Sequence, residues 1–308
     1  MRIGVLRGGT ENYENSLKQG GDFISFVFDN MSSLYNTVDI FIDRDGVWHT
    51  SGLPIQPTDL MHKVDVVWNF SHSSTSAVID SLSIPQISQS HFSSSLQNSR
   101  EMLREHMKGI NVPMPRSILI PAYFEDIDAR PTERGQSFGR GPRERYAIKK
   151  AKEVHEKFGA PWIVKSFTEN KNMAMHVAKT FGELSQAIEN GANQGNSILV
   201  EEFITGKPGA VHSVGNFRDE DVYVLPLGKD FTSEEKEKIT EMAKDLYRHL
   251  GAKHYLKTDF ILSPRRGFIL TDIYFSPDIR ADSHFDQSCA SVGAEMSHIV
   301  EHILKQAI

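Results

Sequence analysis

Cysteine is almost missing. A single thiol, Cys289, in 308 residues excludes an internal disulfide and any multi-cysteine zinc site, and it suits a reducing compartment. There is no large excess of charge of either sign. A net charge of -6 argues against general affinity for nucleic acid or a membrane surface. No apolar run exceeds strand length, and the opening MRIGVLRGG reads as a strand and a glycine turn rather than a charged segment before an apolar block. The expectation is a soluble, cytoplasmic protein with no signal peptide and no transmembrane helix. No internal repeat is visible.

The length suffices for two or three compact units. MRIGVL and VDVVWNF (64–70) are runs of the kind that fill a parallel sheet, so the first 97 residues read as an α/β unit. Met102, Leu103, His106 and Met107 have helical spacing, SILI (117–120) reads as a strand, and a helix is expected from about Ala147 to Phe158, closed by Gly159. PWIVKSF and SILVEEFI are strands around the helix of TFGELSQAIENG. Thr232 and Glu235 form a capping-box pattern before a helical face of Ile239, Met242, Ala243, Leu246 and Leu250. Met296, Ile299, Val300, Ile303 and Leu304 mark a terminal helix. The segment 130–150 carries seven basic residues, two acidic ones and three glycines. A solvated loop is the preferred reading, with a grip on RNA or phosphate as the alternative.

The stretch HYLKTDFILSPRRGFILTDIY reads as two β-runs joined by a turn around Pro264, Arg265, Arg266 and Gly267. With Arg265 and Arg266 at the centre of the turn, Asp259 falls opposite Asp272, and Lys257 opposite Tyr274. Two carboxylates ~5 Å apart at an effective dielectric of ~20 repel by about 3 kcal/mol, so a positive group should lie between them. A hard cation completed by substrate phosphates is the preferred candidate, because Mg²⁺ is usually bound through one or two carboxylates in that way. A pair of exposed strand-edge acids is the alternative.

The order of GGT and ENSL near the start, VVWNFSH (66–72), SIPQIS (83–88), PWIVK (161–165), ILVEEFITG (198–206), LKTDFIL (256–262) and LTDIYFSPDIR (270–280) resembles D-alanine–D-alanine ligases of the ATP-grasp superfamily. The resemblance implies an α/β (α+β) ATP-grasp fold: an N-terminal α/β substrate domain (1–97), with central (98–203) and C-terminal (204–308) domains that clasp ATP. It implies a ligase of peptidoglycan biosynthesis that uses ATP and Mg²⁺ (or Mn²⁺). One amino acid's carboxylate is phosphorylated, and a second amino acid's amine attacks the acyl phosphate to give a dipeptide. Amino acids are the expected partners, with no nucleic acid or membrane, and a homodimer is implied.

By the same resemblance, Lys165 and Arg100 match phosphate-contacting positions, and Glu201, Glu202, Phe203 and Ile204 match the linker that holds adenine. Asp259 and Asp272 match metal-binding acids. Lys257 matches an arginine that stabilises the tetrahedral intermediate, a task that suits a cation. Glu14 matches the acid that pairs with the first substrate's ammonium, His72 a histidine after a sheet strand, and Ser283 a serine near the second substrate's carboxylate. Several positions depart from the family pattern. SFTENKNMAMH (166–176) has no glycine where the family has a glycine- and serine-rich lid, and VYVLPLGKDFTSEE leaves little room for the closing loop. Pro208 or Gly209 stands where a ribose-binding glutamate is expected, Tyr274 replaces an asparagine, Asp278 a glycine, and Ser73 the glycine after the histidine. Two rival readings follow: a catalytically impaired nucleotide-binding protein, or an ATP-grasp ligase with a different amine acceptor.

Overall fold

In this computed structural model residues 1–10, 13–123, 142–167, 175–195 and 197–308 are described, without the side chains of 166 and 167. Most of the lid stretch 166–176 and the first part of the 130–150 segment lie outside these residues. The chain divides into two compact units, Met1–Pro113 with Lys207–Ile308, and Met114–Gly206.

The first unit begins with a six-stranded sheet made of β1 (Arg2–Gly8), β2 (Asn36–Ile42), β3 (Trp48–Thr50), β4 (Leu53–Ile55), β5 (Val66–Asn69) and β6 (Gln86–Ile87), in the order β4-β3-β2-β1-β5-β6. β1, β2, β5 and β6 run parallel, and β3–β4 is an antiparallel hairpin on β2. β1 and β5, at the centre, are buried at most positions because both faces are covered. On one face, Ile3, Trp68 and Phe23 of α1 (Tyr13–Met31) share a core with residues from the chain's last helices; on the other, Leu6, Ile40 and Leu60 pack with Ile79 of α2 (Ser73–Ser81). α3 (His91–Asn98) and α4 (Arg100–Gly109) follow.

The second unit is an antiparallel sheet of β7 (Ser117–Ile120), β8 (Trp162–Phe167), β9 (Met175–Ala178) and β10 (Ser197–Glu202), ordered β7-β10-β8-β9. It carries α5 (Pro142–Lys157) and α6 (Phe181–Gln194), whose Ala147, Val154, Leu184 and Ile188 meet Trp162 and Val200. α5 starts at Pro142, five residues before the expected Ala147. Proline's fixed φ suits a first helical turn, where its missing N–H is not needed.

The chain then returns to the first unit with β11 (Lys207–Phe217), β12 (Glu220–Val224), α7 (Ser233–His249), β13 (Tyr255–Ser263), β14 (Gly267–Tyr274), α8 (His284–Ser291) and α9 (Met296–Gln306). The sheet order is β12-β11-β13-β14, all antiparallel. The capping box of α7 forms as expected: Glu235 N–H donates to Thr232 Oγ1 at 3.2 Å, and Thr232 N–H to the Glu235 carboxylate at 2.8 Å. Ile239 and Ala243 of α7 pack on Val211 and Phe260, which leaves the opposite sheet face to the polar residues described next. No described helix is long and apolar enough to cross a membrane.

Candidate functional site

The hairpin of β13 and β14 pairs Asp259 with Asp272 and Lys257 with Tyr274. Its turn is one residue longer than the sequence suggests, because Ser263 pairs with Gly267, a left-handed residue at φ 71°. An offsetting bulge then occurs: Phe260 pairs with Leu270 and Asp259 with Asp272, which leaves Thr271 unpaired. The freed Thr271 carbonyl accepts a hydrogen bond from Arg100 Nη1, at the start of α4. Arg100, expected on phosphate, is therefore anchored beside the acid-bearing strand.

Residues paired across strands project from one sheet face. His212, Lys257 and Tyr274 form one row across β11, β13 and β14, and Ala210, Asp259 and Asp272 form the next. The Lys257 ammonium is 3.0 Å from the Asp259 carboxylate and 4.8 Å from the Tyr274 ring centroid. Burial, followed by the charges of Asp272 and Asp259, pushes the Tyr274 phenol far up, so it stays protonated and hydrogen-bonds Asp272. The positive group that the acid pair calls for is thus present in the chain as Lys257. The repulsion alone does not require a metal.

The two carboxylates still form a hard donor set that suits Mg²⁺ when phosphate oxygens and water complete the shell. Among the described residues no group of three or more His, Cys, Asp or Glu side chains gathers to hold a metal. A cation on Asp259 and Asp272 would draw its other ligands from substrate.

Asp278 does not stand as a bare negative charge. Arg280 grips it through Nε at 2.8 Å and Nη2 at 2.5 Å and holds its carboxyl below the usual range. Ser283 caps α8: its Oγ accepts from Asp286 N–H at 3.1 Å and donates to the Asp278 carbonyl at 2.8 Å. Glu14, in the first turn of α1, pairs with Arg44 at 2.9 Å on the surface. His72 stands at the N-cap of α2, its Nδ1 against Ser74 Oγ. It lines a polar cavity of about 60 Å³ with Asn15, Gln19, Asn69, Gln89 and Gln97. Gly9 must be glycine here, since its φ is 105° and a Cβ would meet Ser71 Oγ at 2.6 Å and the His72 ring at 2.9 Å.

In the second unit, Lys165 Nζ lies 2.8 Å from Glu201 Oε2, with side-chain exposures of 18% and 4%. Glu202 is held by Arg116 through Nε at 3.1 Å and Nη2 at 3.0 Å. The backbone N–H of Glu202 donates to the Arg116 carbonyl, and that of Phe203 to the Pro161 carbonyl. Phe203 is exposed and Ile204 buried. The expected site residues thus fall into separate groups. Lys257, Asp259, Asp272 and Arg100 surround one hairpin, Ser283 caps α8, Glu14 and His72 belong to α1 and the α2 cap, and Lys165 with Glu201–Ile204 lies in the second unit.

Sequence reasoning passed over His212 and His284. His212 Nδ1 is 2.6 Å from the Tyr255 hydroxyl and its Nε2 is 2.7 Å from His284 Nδ1. The available signal was positional: extending the strand pairing to β11 sets His212 opposite Lys257.

Comparison with known proteins agrees with this architecture. Residues 219–305 match the family profile described as D-ala D-ala ligase C-terminus. A D-alanine–D-alanine ligase of Francisella philomiragia is 28% identical over 165 residues, covering 48% of this chain and 55% of the relative. The chain spans little more than half the length of the curated relatives it matches. Among solved structures, D-alanyl-alanine synthetase A of Vibrio cholerae superposes with a TM-score of 0.70 at 13% identity, covering 100% of this chain and 98% of that one. The D-alanine–D-alanine ligase of Bacillus anthracis complexed with ATP gives 0.66 at 16% identity, covering 100% and 96%. Residues 219–305 thus resemble the C-terminal part of D-alanine–D-alanine ligases, about half of the chain is similar in sequence to members of that family, and the chain has the ATP-grasp fold of those structures.

Proposed function

We propose that this chain is an ATP- and Mg²⁺-dependent carboxylate–amine ligase of the D-alanine–D-alanine ligase type, forming a dipeptide through an acyl phosphate. The observation that carries the reading is the facing pair Asp259 and Asp272, with the Lys257 cation in the adjoining row of the same sheet face. In this reading the two acids hold Mg²⁺, which when bound neutralises phosphate charge during phosphoryl transfer. Lys257 exchanges its contact with Asp259 for the oxygen that becomes negative as the amine attacks. Arg100 and Lys165 contact phosphate, Glu201 to Ile204 receive adenine, and Glu14, His72 and Ser283 serve the amino acids. The segments 1–97, 98–203 and 204–308 then correspond to one substrate domain and two nucleotide-clasping domains. The protein is assigned to the cytoplasm, as a homodimer that supplies a dipeptide for peptidoglycan.

The test is ADP release from ATP and Mg²⁺ with and without D-alanine and a panel of other D- and L-amino acids, with Asp272→Ala as the blank. Amino-acid-stimulated turnover that is lost in Asp272→Ala is the expected result. Nucleotide binding with no turnover on any amino acid would overturn the ligase reading in favour of a nucleotide-binding regulator, whereas turnover only with larger amines would change the acceptor.

A further inference from the structure

A hydrogen-bonded chain of three rings runs from the buried core to the candidate site. Tyr255 in β13 is 2% exposed and His212 in β11 is 1% exposed. The Tyr255 hydroxyl has one hydrogen-bond partner among the described residues, His212 Nδ1 at 2.6 Å, and His212 Nε2 meets His284 Nδ1 at 2.7 Å. His284 is the first residue of α8 and is exposed. Ser288 Oγ, 3.4 Å from His284 Nδ1, donates instead to the His284 carbonyl at 2.7 Å.

Proton placement follows from the partners. A buried tyrosine hydroxyl must donate to something, and its single acceptor is His212 Nδ1. His212 therefore carries its proton on Nε2 and donates it to His284 Nδ1. His284 in turn must hold its proton on Nε2, since the bond at one ring nitrogen fixes the state of the other. The reverse polarity would leave the Tyr255 proton unpaired in the core. The outer end of the chain is thus a fixed N–H donor with no partner of its own among the described residues. His284 lies within electrostatic reach of Lys257, which pairs across the strands with His212 and acts on both rings.

We propose that His284, oriented by Tyr255 and His212, is a donor that acts with Lys257 on an oxyanion of the reacting groups, a carboxylate or phosphoryl oxygen. The inference rests on the ligase reading only for the identity of that oxyanion. An uncharged N–H beside an ammonium makes a two-point site for negative oxygen, whereas the opposite tautomer would present a lone pair and repel it. Burial disfavours the protonated form of His212 and, to a lesser extent, of His284, which keeps the chain uncharged; nearby Asp259 opposes this at His284 and Lys257 reinforces it. Tyr255 and His212 are positioning residues because they act through His284.

The experiment uses the full chain labelled with ¹⁵N and long-range ¹H–¹⁵N spectra of the histidine rings. The expected result is His284 with its proton on Nε2, a shift of that nitrogen on adding inorganic phosphate or, in a separate arm, D-alanine, and loss of the fixed tautomer in Tyr255→Phe. A His284 proton on Nδ1, or no shift with either probe, would overturn the proposal. The two arms separate a phosphoryl from a carboxylate ligand. In turnover, His284→Ala is expected to lower kcat by roughly 10²-fold, as for loss of one oxyanion donor. His284→Gln, which keeps an N–H donor, should recover part of it, and wild-type kcat and KM in His284→Ala would also overturn the proposal. If the wild-type chain turns nothing over, the ligase reading fails, and the ring spectra still decide this one.

Discussion

Glu201 shows how far single residues can be read from a sequence. The family resemblance marks Glu201 and Lys165 as separate ligand-facing groups, but their mutual contact depends on register. Lys165 pairs with Leu199 across β8 and β10, so Glu201, two residues along, lies on the same face within reach. His212 is harder still, since nothing local in AVHSV separates a hydrogen-bonded core histidine from a strand residue facing water. The Lys165–Glu201 contact has an energetic consequence. Removing one partner of a buried pair costs about 3–5 kcal/mol. Lys165 keeps 18% exposure, so water recovers part of that, and Glu201→Gln is expected to cost about 2 kcal/mol in urea unfolding. Lys165→Met added to Glu201→Gln should restore much of the loss, because no charge is then left without a partner. A single-mutant cost below about 0.5 kcal/mol, the level of an exposed pair, would show that the ions do not interact in solution.

Among the elements, the hairpin of β13 and β14 was legible at its functional end and misread at its turn. A two-residue turn centred on Arg265 and Arg266 gives the observed pairing of Asp259 with Asp272, but only because a longer turn and the bulge at Thr271 cancel. Composition does not announce the bulge: threonine is a good strand residue, and its displacement is held by Arg100 from a distant helix. Deleting Thr271 makes a test of this account. The ladder from Phe260 and Leu270 would continue without a break, and Asp272 would still face Asp259. The carbonyl that receives Arg100 would be lost, at a cost of about 1.5–3 kcal/mol for a hydrogen bond to a charged group. The expected outcome in equilibrium unfolding is a destabilised but folded chain whose Asp259–Asp272 pairing persists in backbone NMR contacts. Loss of that pairing would mean that the bulge itself sets the register.

For the molecule as a whole, the motif order was enough to indicate the fold, because seven short segments in sequence constrain topology more than any one of them does. It did not reveal that both ends of the chain share one core, where Ile3, Phe23 and Trp68 meet Phe285, Ile299 and Leu304. Contacts between residues so far apart in sequence leave no periodic signature. That first unit also collects His106, His212, His254 and His284, each with burial as the leading cause of a pKa below the ordinary 6.5. The unfolded chain binds protons at these rings near pH 6.5, while the folded chain resists until lower pH. Stability is therefore fully present above about pH 6.5 and falls as pH drops below it, by at most about 1.4 kcal/mol per pH unit for each ring that gains a full proton on unfolding. Asp43, Asp65 and Asp278, held below 3.8, act only at lower pH. Urea midpoints for this unit should thus be level from pH 7.5 to about 6.5 and decline toward pH 5.5. His106 offers a separable case: its Nε2 is buried without a partner among the described residues, and its ring lies 5.0 Å from Phe92 and 4.8 Å from His249. His106→Leu removes both the unpaired nitrogen and one titrating group, so it should raise the midpoint at pH 7.5 and flatten the decline below pH 6.5. An unchanged slope would exclude His106 from the acid response and leave it to the other three rings.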